Sequence, residues 1–298
     1  MMARAAVIGF VGLGHMGAAL ARRSLAAGGT VLVYDLAPQA VASLAALGAE
    51  AAPDLAAMFR RAEVVAACLP SAAACRAVAA EAVKAAGAGA CAVRLWIEAS
   101  TIGRRACAGI AADLAAAGIA FADAPVSGGP RGKALSTMLA VPQALRAQAE
   151  AEVGRYSDRI IAVGEEPGQA QICKLVNNAI SLATLAIACE ATASGVRAGL
   201  DLAVMVEAIN AGSGRCAATT DKFPQAIVTR RFDYGAAARI AAKDMALFLE
   251  EAETAGGRLA CLPQIAALWR TVADEGPPDM DFTSIFKYFE EYGRPLQA

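Results

Sequence analysis

The stretch AAVIGFVGLGHMGAALARRSLAAGGTVLVYD, residues 5–35, changes texture three times. Val7 to Val11 is a short apolar run, and Gly12, Gly14 and Gly17 follow it closely. An Ala/Leu-rich stretch of helical character comes next, and a β-branched run closes on Tyr34 and Asp35. Short β-branched runs bounded by glycine read as strands, and the longer Ala/Leu segment reads as a helix. The stretch therefore predicts strand, tight turn, helix, strand.

Glycines in that setting have a specific use. Gly12 makes the tight turn, Gly14 lets the backbone approach a pyrophosphate, and Gly17 permits close helix–strand packing. The helix N-terminus offers unpaired N–H groups and the positive end of its dipole. Gly12, Gly14, His15, Met16 and Gly17 are thus the expected contacts of a dinucleotide. Asp35 closes the second strand about 20 residues further on, where a carboxylate accepts hydrogen bonds from the adenosine ribose. Its charge repels a 2′-phosphate, so NAD is favoured over NADP, although an arginine from elsewhere would reverse that choice.

Further strand–helix units follow: AEVVAACLP before a helix from about Ser71, AVRLWIEAST before a helix from about Arg104, and IAFADAPVSGG with a strand ending at Asp123. This alternation predicts an α/β domain with a parallel, doubly wound sheet. Ligands in such sheets sit outside the carboxyl ends of the strands. Leu69, Pro70, Ser100, Thr101 and Ser127 to Gly129 are placed there. After about Gly164 the chain reads as helical only, with a long helix from Gly168 to about Ala198 as its spine. The expected domains are 1–165 and 166–298.

The composition narrows the function. The chain has 298 residues, a net charge of −1 and 57% hydrophobic residues, enough for a large core and two domains. It has no Lys/Arg block longer than a pair, so nucleic acid and anionic membranes are not the expected partners. The N-terminus imitates a signal peptide only loosely, and no export signal is read there. The longest charge-free apolar stretch of the long helix, Ala179 to Cys189 beyond the two asparagines, is about half of the ~20 residues a membrane span requires. A buried helix is expected instead. Eight cysteines are scattered singly, as in a protein of the reducing cytoplasm, with no zinc spacing and no metal site expected. The one histidine, His15, lies in the glycine loop. Proton transfer falls to Lys, Asp, Glu, Tyr or Cys.

Lys174 stands out on these grounds. Of 27 basic residues only six are lysines: Lys84, Lys133, Lys174, Lys222, Lys243 and Lys287. Arginine stays protonated near neutral pH, whereas a lysine shielded from water can exchange its proton there. Asn178 follows one helical turn later and Ser181 another, giving a polar stripe on an apolar helix. The competing explanation is a stripe that snorkels at a domain edge. Lys243 poses a similar question, but with Asp244 and the acids after it a solvated face is the stronger explanation there.

GLGHMG, DAPVSGG and GQAQICKLVNN, in this order and at these separations, resemble the β-hydroxyacid dehydrogenase family, of which 3-hydroxyisobutyrate dehydrogenase is the best-known member. The resemblance spans nearly the whole chain, including GSGR at Gly212 to Arg215 and KD at Lys243 and Asp244. It implies an N-terminal Rossmann domain, a long interdomain helix, and an all-helical C-terminal domain that also forms a homodimer or homotetramer. It also implies that Lys174 is the catalytic acid/base, that Ser127, Gly128 and Gly129 bind a hydroxy-acid carboxylate, and that Asn178 orients the substrate. Leu69, Pro70, Thr101 and Lys243 then lie near the cofactor. The expected activity is hydride transfer between NAD and a small β-hydroxy acid or its semialdehyde. The alternatives are a semialdehyde or imine reductase preferring NADPH, and a non-catalytic dinucleotide-binding module. Lys174 argues against the imine reading, because relatives of that kind carry aspartate or tyrosine there.

The chain departs from the family pattern in three places. Ala170 replaces a second glycine, the usual acidic-Ser-Ser-Thr strand end appears as EAST from Glu98, and Ser136 and Pro142 stand where glycines are expected.

Overall fold

The computed structural model describes residues 6–128 and 134–292. The chain divides into two compact units, Met1–Lys174 and Leu175–Ala298.

In the first unit, strands β1 (Ile8–Val11), β2 (Val31–Tyr34), β3 (Glu50–Ala51), β4 (Val64–Ala67), β5 (Leu95–Glu98) and β6 (Ala120–Asp123) alternate with helices. These are α1 (His15–Ala26), α2 (Pro38–Ala45), α3 (Leu55–Phe59), α4 (Ala72–Gly87) and α5 (Arg104–Ala116). The six strands pair in parallel in the order β3-β2-β1-β4-β5-β6. Successive side chains point to opposite faces of a strand. Ile8, Phe10, Val33, Ala66 and Ile97 accordingly share one core, while Val11, Leu32, Val65, Ala67 and Trp96 share another. A sheet covered on both faces needs continuous apolar runs, and VVAA in β4 is buried at every position. The chain order reverses at β1, which lies between β2 and β4, so the crevice outside their carboxyl ends is the topological switch point.

Beyond β6 the sheet stops being purely parallel, which the simple alternation does not predict. Both β6 and β7 (Val126–Ser127) pair antiparallel with β8 (Ser136–Ala140). After α6 (Gln143–Val153), β9 (Arg159–Gly164) lies parallel to β8. The segment between β7 and β8 is too short for the crossover that a parallel neighbour requires.

Helix α7 (Gln169–Arg197) starts in the first unit and continues into the second. It is followed by α8 (Leu202–Ala211), a π-helical segment Ala218–Ile227, α9 (Ala238–Thr254), α10 (Leu262–Glu275), a 3₁₀ turn Phe282–Ser284 and α11 (Ile285–Tyr292). The core of this unit gathers Leu185, Phe223, Trp269 and Phe286, and the Trp269 indole donates to the Leu182 carbonyl at 3.2 Å. By length and composition α7 would suit a membrane span. Its inner face, including Ala179, Leu182, Leu185, Ala186 and Cys189, is packed into that core. The expectation of a buried helix holds for that face only, because Val176, Ile180 and Ile187 are exposed.

Candidate active site

The glycine loop joins β1 to α1. Gly12 has φ +86°, and a Cβ there would lie 2.3 Å from the Cys68 carbonyl oxygen. A Cβ on Gly17 would lie 2.0 Å from the Gly12 carbonyl oxygen. Both positions demand glycine for the fold itself. Gly14 is different: a Cβ on it would meet nothing within 4 Å. It is exposed, it starts α1, and no side chain caps the helix there. The first turn thus presents backbone N–H groups on an open, bare face, which is what a pyrophosphate requires. His15 is exposed and Met16 half-buried beside it.

Asp35 holds this loop in shape. Its Oδ2 accepts from Leu13 N at 2.6 Å and its Oδ1 from Ala37 N at 2.8 Å. A carboxylate has about four acceptor positions, so two bonds to the backbone leave room for ribose hydroxyls. The residues present fit a nicotinamide dinucleotide.

The ends of β4 and β5 are tied to each other. Leu69 N donates to Ser100 Oγ at 2.8 Å, while Ser100 N donates to Glu98 Oε1 at 3.1 Å. Glu98 is fully buried and also accepts from the Trp96 indole at 3.4 Å and the Cys75 thiol at 3.7 Å. Burial pushes its carboxyl up to about 7, against the hydrogen bonds from Ser100 and Trp96. Pro70 is exposed and Thr101 half-buried, next to the two tied residues.

The end of β6 anchors α7. Asp123 Oδ2 accepts from Gly168 N at 2.9 Å and Gln171 N at 3.1 Å, and its Oδ1 accepts from Gln171 Nε2 at 2.8 Å. The same Gln171 side chain donates to Ser100 O at 3.1 Å and accepts from Ile102 N at 2.9 Å. Asp123 therefore serves the N–H groups at the start of a helix, and Gln171 binds that start to the β5 loop. Lys174 follows within one turn and is 9% exposed.

Ser127 is half-buried on β7. Gly128 has φ +122°, and a Cβ on it would lie 2.2 Å from the Ala134 carbonyl oxygen, so only glycine fits. Gly129 lies outside the described residues.

The second unit carries its own group. Asn178 Nδ2 donates to Asp244 Oδ2 at 2.7 Å, and Asn177 Nδ2 donates to Asn178 Oδ1 at 3.1 Å. Lys243 Nζ lies 3.1 Å from Asp244 Oδ1. Asp244 is buried, so it does not belong to the solvated face considered there, whereas the Lys243 side chain is 31% exposed. The structure thus brings Asn178 and Lys243 to one carboxylate. In the first unit it brings Asp35 to the glycine loop, Leu69 to Ser100, and the start of the Lys174 helix to Asp123.

Sequence reasoning passed over Asp123, Gln171, Glu98 and Asp244 as members of these groups. Each is a polar residue in an apolar segment, a signal of burial, but the partners lie far along the chain. Among the described residues, no group of three or more His, Cys, Asp or Glu side chains could hold a metal ion.

Comparison with known proteins identifies the family. Residues 7–164 match the model for the NAD binding domain of 6-phosphogluconate dehydrogenase. Residues 168–289 match that for the NAD-binding of NADP-dependent 3-hydroxyisobutyrate dehydrogenase. The chain is similar to 3-hydroxyisobutyrate dehydrogenase of Pseudomonas aeruginosa, at 32% identity over 95% of this chain and 98% of the relative. It is also similar to the NAD-dependent L-serine dehydrogenase of the same organism, at 30% identity over 95% of this chain and 97% of the relative. Among solved structures, 3-hydroxyisobutyrate dehydrogenase from Salmonella typhimurium superposes with a TM-score of 0.85 at 26% identity, covering 95% of this chain and 100% of the other. The chain therefore belongs to the β-hydroxyacid dehydrogenase family and is an NAD(P)-dependent oxidoreductase.

Proposed function

We propose that the protein transfers a hydride between NAD and a small β-hydroxy acid of the 3-hydroxyisobutyrate type, or reduces the corresponding semialdehyde, with Lys174 as the general acid/base. The observation that carries this reading is the placement of Lys174. It is one of two buried lysines among the described residues, and the helix turn before it is fixed by Asp123 and Gln171. An amine so held can meet a reacting oxygen repeatedly in one geometry.

Ser127 and the backbone around Gly128 and Gly129 take the substrate carboxylate, and Asn178, fixed by Asp244, orients the substrate. In oxidation the neutral amine of Lys174 removes the hydroxyl proton, and in reduction the ammonium returns one to the forming alkoxide. The nicotinamide, when bound, accepts or supplies the hydride. The two Pseudomonas relatives act, by name, on 3-hydroxyisobutyrate and L-serine. Both carry a hydroxyl on the carbon β to a carboxylate, which supports the substrate class. Asp35 supports NAD over NADP. The eight free cysteines fit a cytoplasmic setting.

The test is NADH formation across a panel of three- and four-carbon β-hydroxy acids, with wild type and Lys174→Ala. The expected outcome is turnover of at least one acid, a loss of roughly 10²-fold or more in the variant, and NAD affinity close to wild type by calorimetry. Turnover that survives in Lys174→Ala would remove Lys174 from the mechanism.

A further inference from the structure

Lys222 is the other lysine that the fold takes out of water. It lies on the π-helical segment and is 7% exposed. Its Nζ is 3.4 Å from Ser181 Oγ and 5.7 Å from the centre of the Tyr234 ring. Lysine is almost never fully buried unless paired. Here the nearest carboxylate in sequence is engaged elsewhere, because Asp221 accepts from the Tyr234 hydroxyl and the Gln225 amide. Among the described residues Lys222 takes part in no ion pair. Burial pushes this ammonium below the usual lysine range, with the charge of Asp221 acting against that.

Methionine would fill the same space with no charge to desolvate, so a lysine kept only for packing is a costly choice. The location suggests what the charge serves. Ser181 follows Asn178 by one turn on the same side of α7, about 4.5 Å along the axis. Asn178, Ser181 and Lys222 form a polar row beside a core of Phe223, Ala226 and Trp269. Asn178 is the residue assigned above to orient substrate, and the row continues from it to an ammonium whose neighbouring carboxylate, Asp221, is held by Tyr234 and Gln225.

We propose that Lys222, with the Ser181 hydroxyl, receives a second carboxylate on the substrate, so that the preferred β-hydroxy acids are dicarboxylates. This rests on the dehydrogenase reading and narrows its substrate class.

Two acids that share a 3-hydroxypropionate frame and differ in the side chain on C2 make the test. 3-Hydroxyisobutyrate carries a methyl group and 2-(hydroxymethyl)glutarate a carboxyethyl group. The expected result is that wild type prefers the dicarboxylate. Lys222→Met should lower the ratio of kcat/KM for the dicarboxylate over the monocarboxylate at least tenfold, mainly through KM. Lys222→Arg should keep part of the preference, and Ser181→Ala should lower it a few-fold. A ratio that Lys222→Met leaves unmoved would overturn the subsite and leave the dehydrogenase reading standing.

A second arm needs no turnover. Calorimetry on the full chain with saturating NAD would compare glutarate with butyrate, and Lys222→Met should weaken glutarate at least tenfold relative to butyrate. Equal effects on the two ligands would overturn the proposal. Discrimination between them without oxidation of either hydroxy acid would support the subsite and sink hydride transfer instead.

Discussion

Asp123 at the end of β6 and Gln171 in the first turn of α7 are joined twice, Gln171 N to Oδ2 at 3.1 Å and Gln171 Nε2 to Oδ1 at 2.8 Å. The carboxylate meets only donors, since Gly168 N also points at it. Asparagine at this position would turn an N–H₂ group toward one of them. Leaving a buried donor without its acceptor costs about 1–3 kcal/mol. Asp123→Asn is expected to lower the Tm by several degrees and to reduce kcat more than it raises KM, with NAD affinity retained. Steady-state kinetics and thermal unfolding check this; an unchanged kcat would mean that the start of α7 needs no tether.

Glu98 gives a pH dependence whose sign is fixed. It neighbours Asp123 across the β5–β6 pair, and burial raises its pKa from 4.5 to about 7. Between those values the folded state holds the proton that the unfolded state releases. Its contribution to stability is complete below pH 4.5 and is lost as pH rises through about 7. Glu98→Gln keeps a neutral side chain of the same shape. The wild type should therefore lose stability relative to this variant between about pH 4.5 and 7, by on the order of 1–3 kcal/mol. Denaturant titrations at several pH values measure it, and parallel curves for the two proteins would show that Glu98 titrates normally.

The glycine loop separates fold from ligand. A methyl group at Gly17 strikes the Gly12 carbonyl, whereas one at Gly14 meets no protein atom. Gly17→Ala should lower the Tm markedly. Gly14→Ala should unfold like wild type yet bind NAD at least tenfold more weakly, because its methyl group fills the space for the pyrophosphate. Calorimetry with the folded Gly14→Ala protein decides the point. Wild-type affinity there would move the pyrophosphate away from the loop.

Asp35 braces the loop through Leu13 N and Ala37 N, and in the proposed function it has a second task, opposing a 2′-phosphate. Asp35→Ala should weaken NAD and relax the preference for NAD over NADP. Asp35→Asn keeps an acceptor without the charge, so it should retain more NAD affinity while relaxing the preference to a similar degree. Equal NAD/NADP ratios in wild type and both variants would mean that another group reads the ribose.

The sequence by itself determined the parallel half of the first unit and the helical character of the second. Both rest on short-range physics: β-branched runs of strand length, Gly12 and Gly17 where no Cβ fits, and the 29-residue helix α7 with neither proline nor internal break. Lys174 and Asn178 stand out for an equally local reason, as residue types at odds with their immediate neighbours, and Gly14 as the second glycine of the loop pattern. Tertiary structure alone decided the antiparallel β8, the one-sided burial of α7, and the partners that fix each candidate group. Asp123 meets Gly168 across 45 positions and Asn178 meets Asp244 across 66. No local pattern encodes those distances, because a buried carboxylate records only that it must find donors, and the packing of whole elements selects which ones.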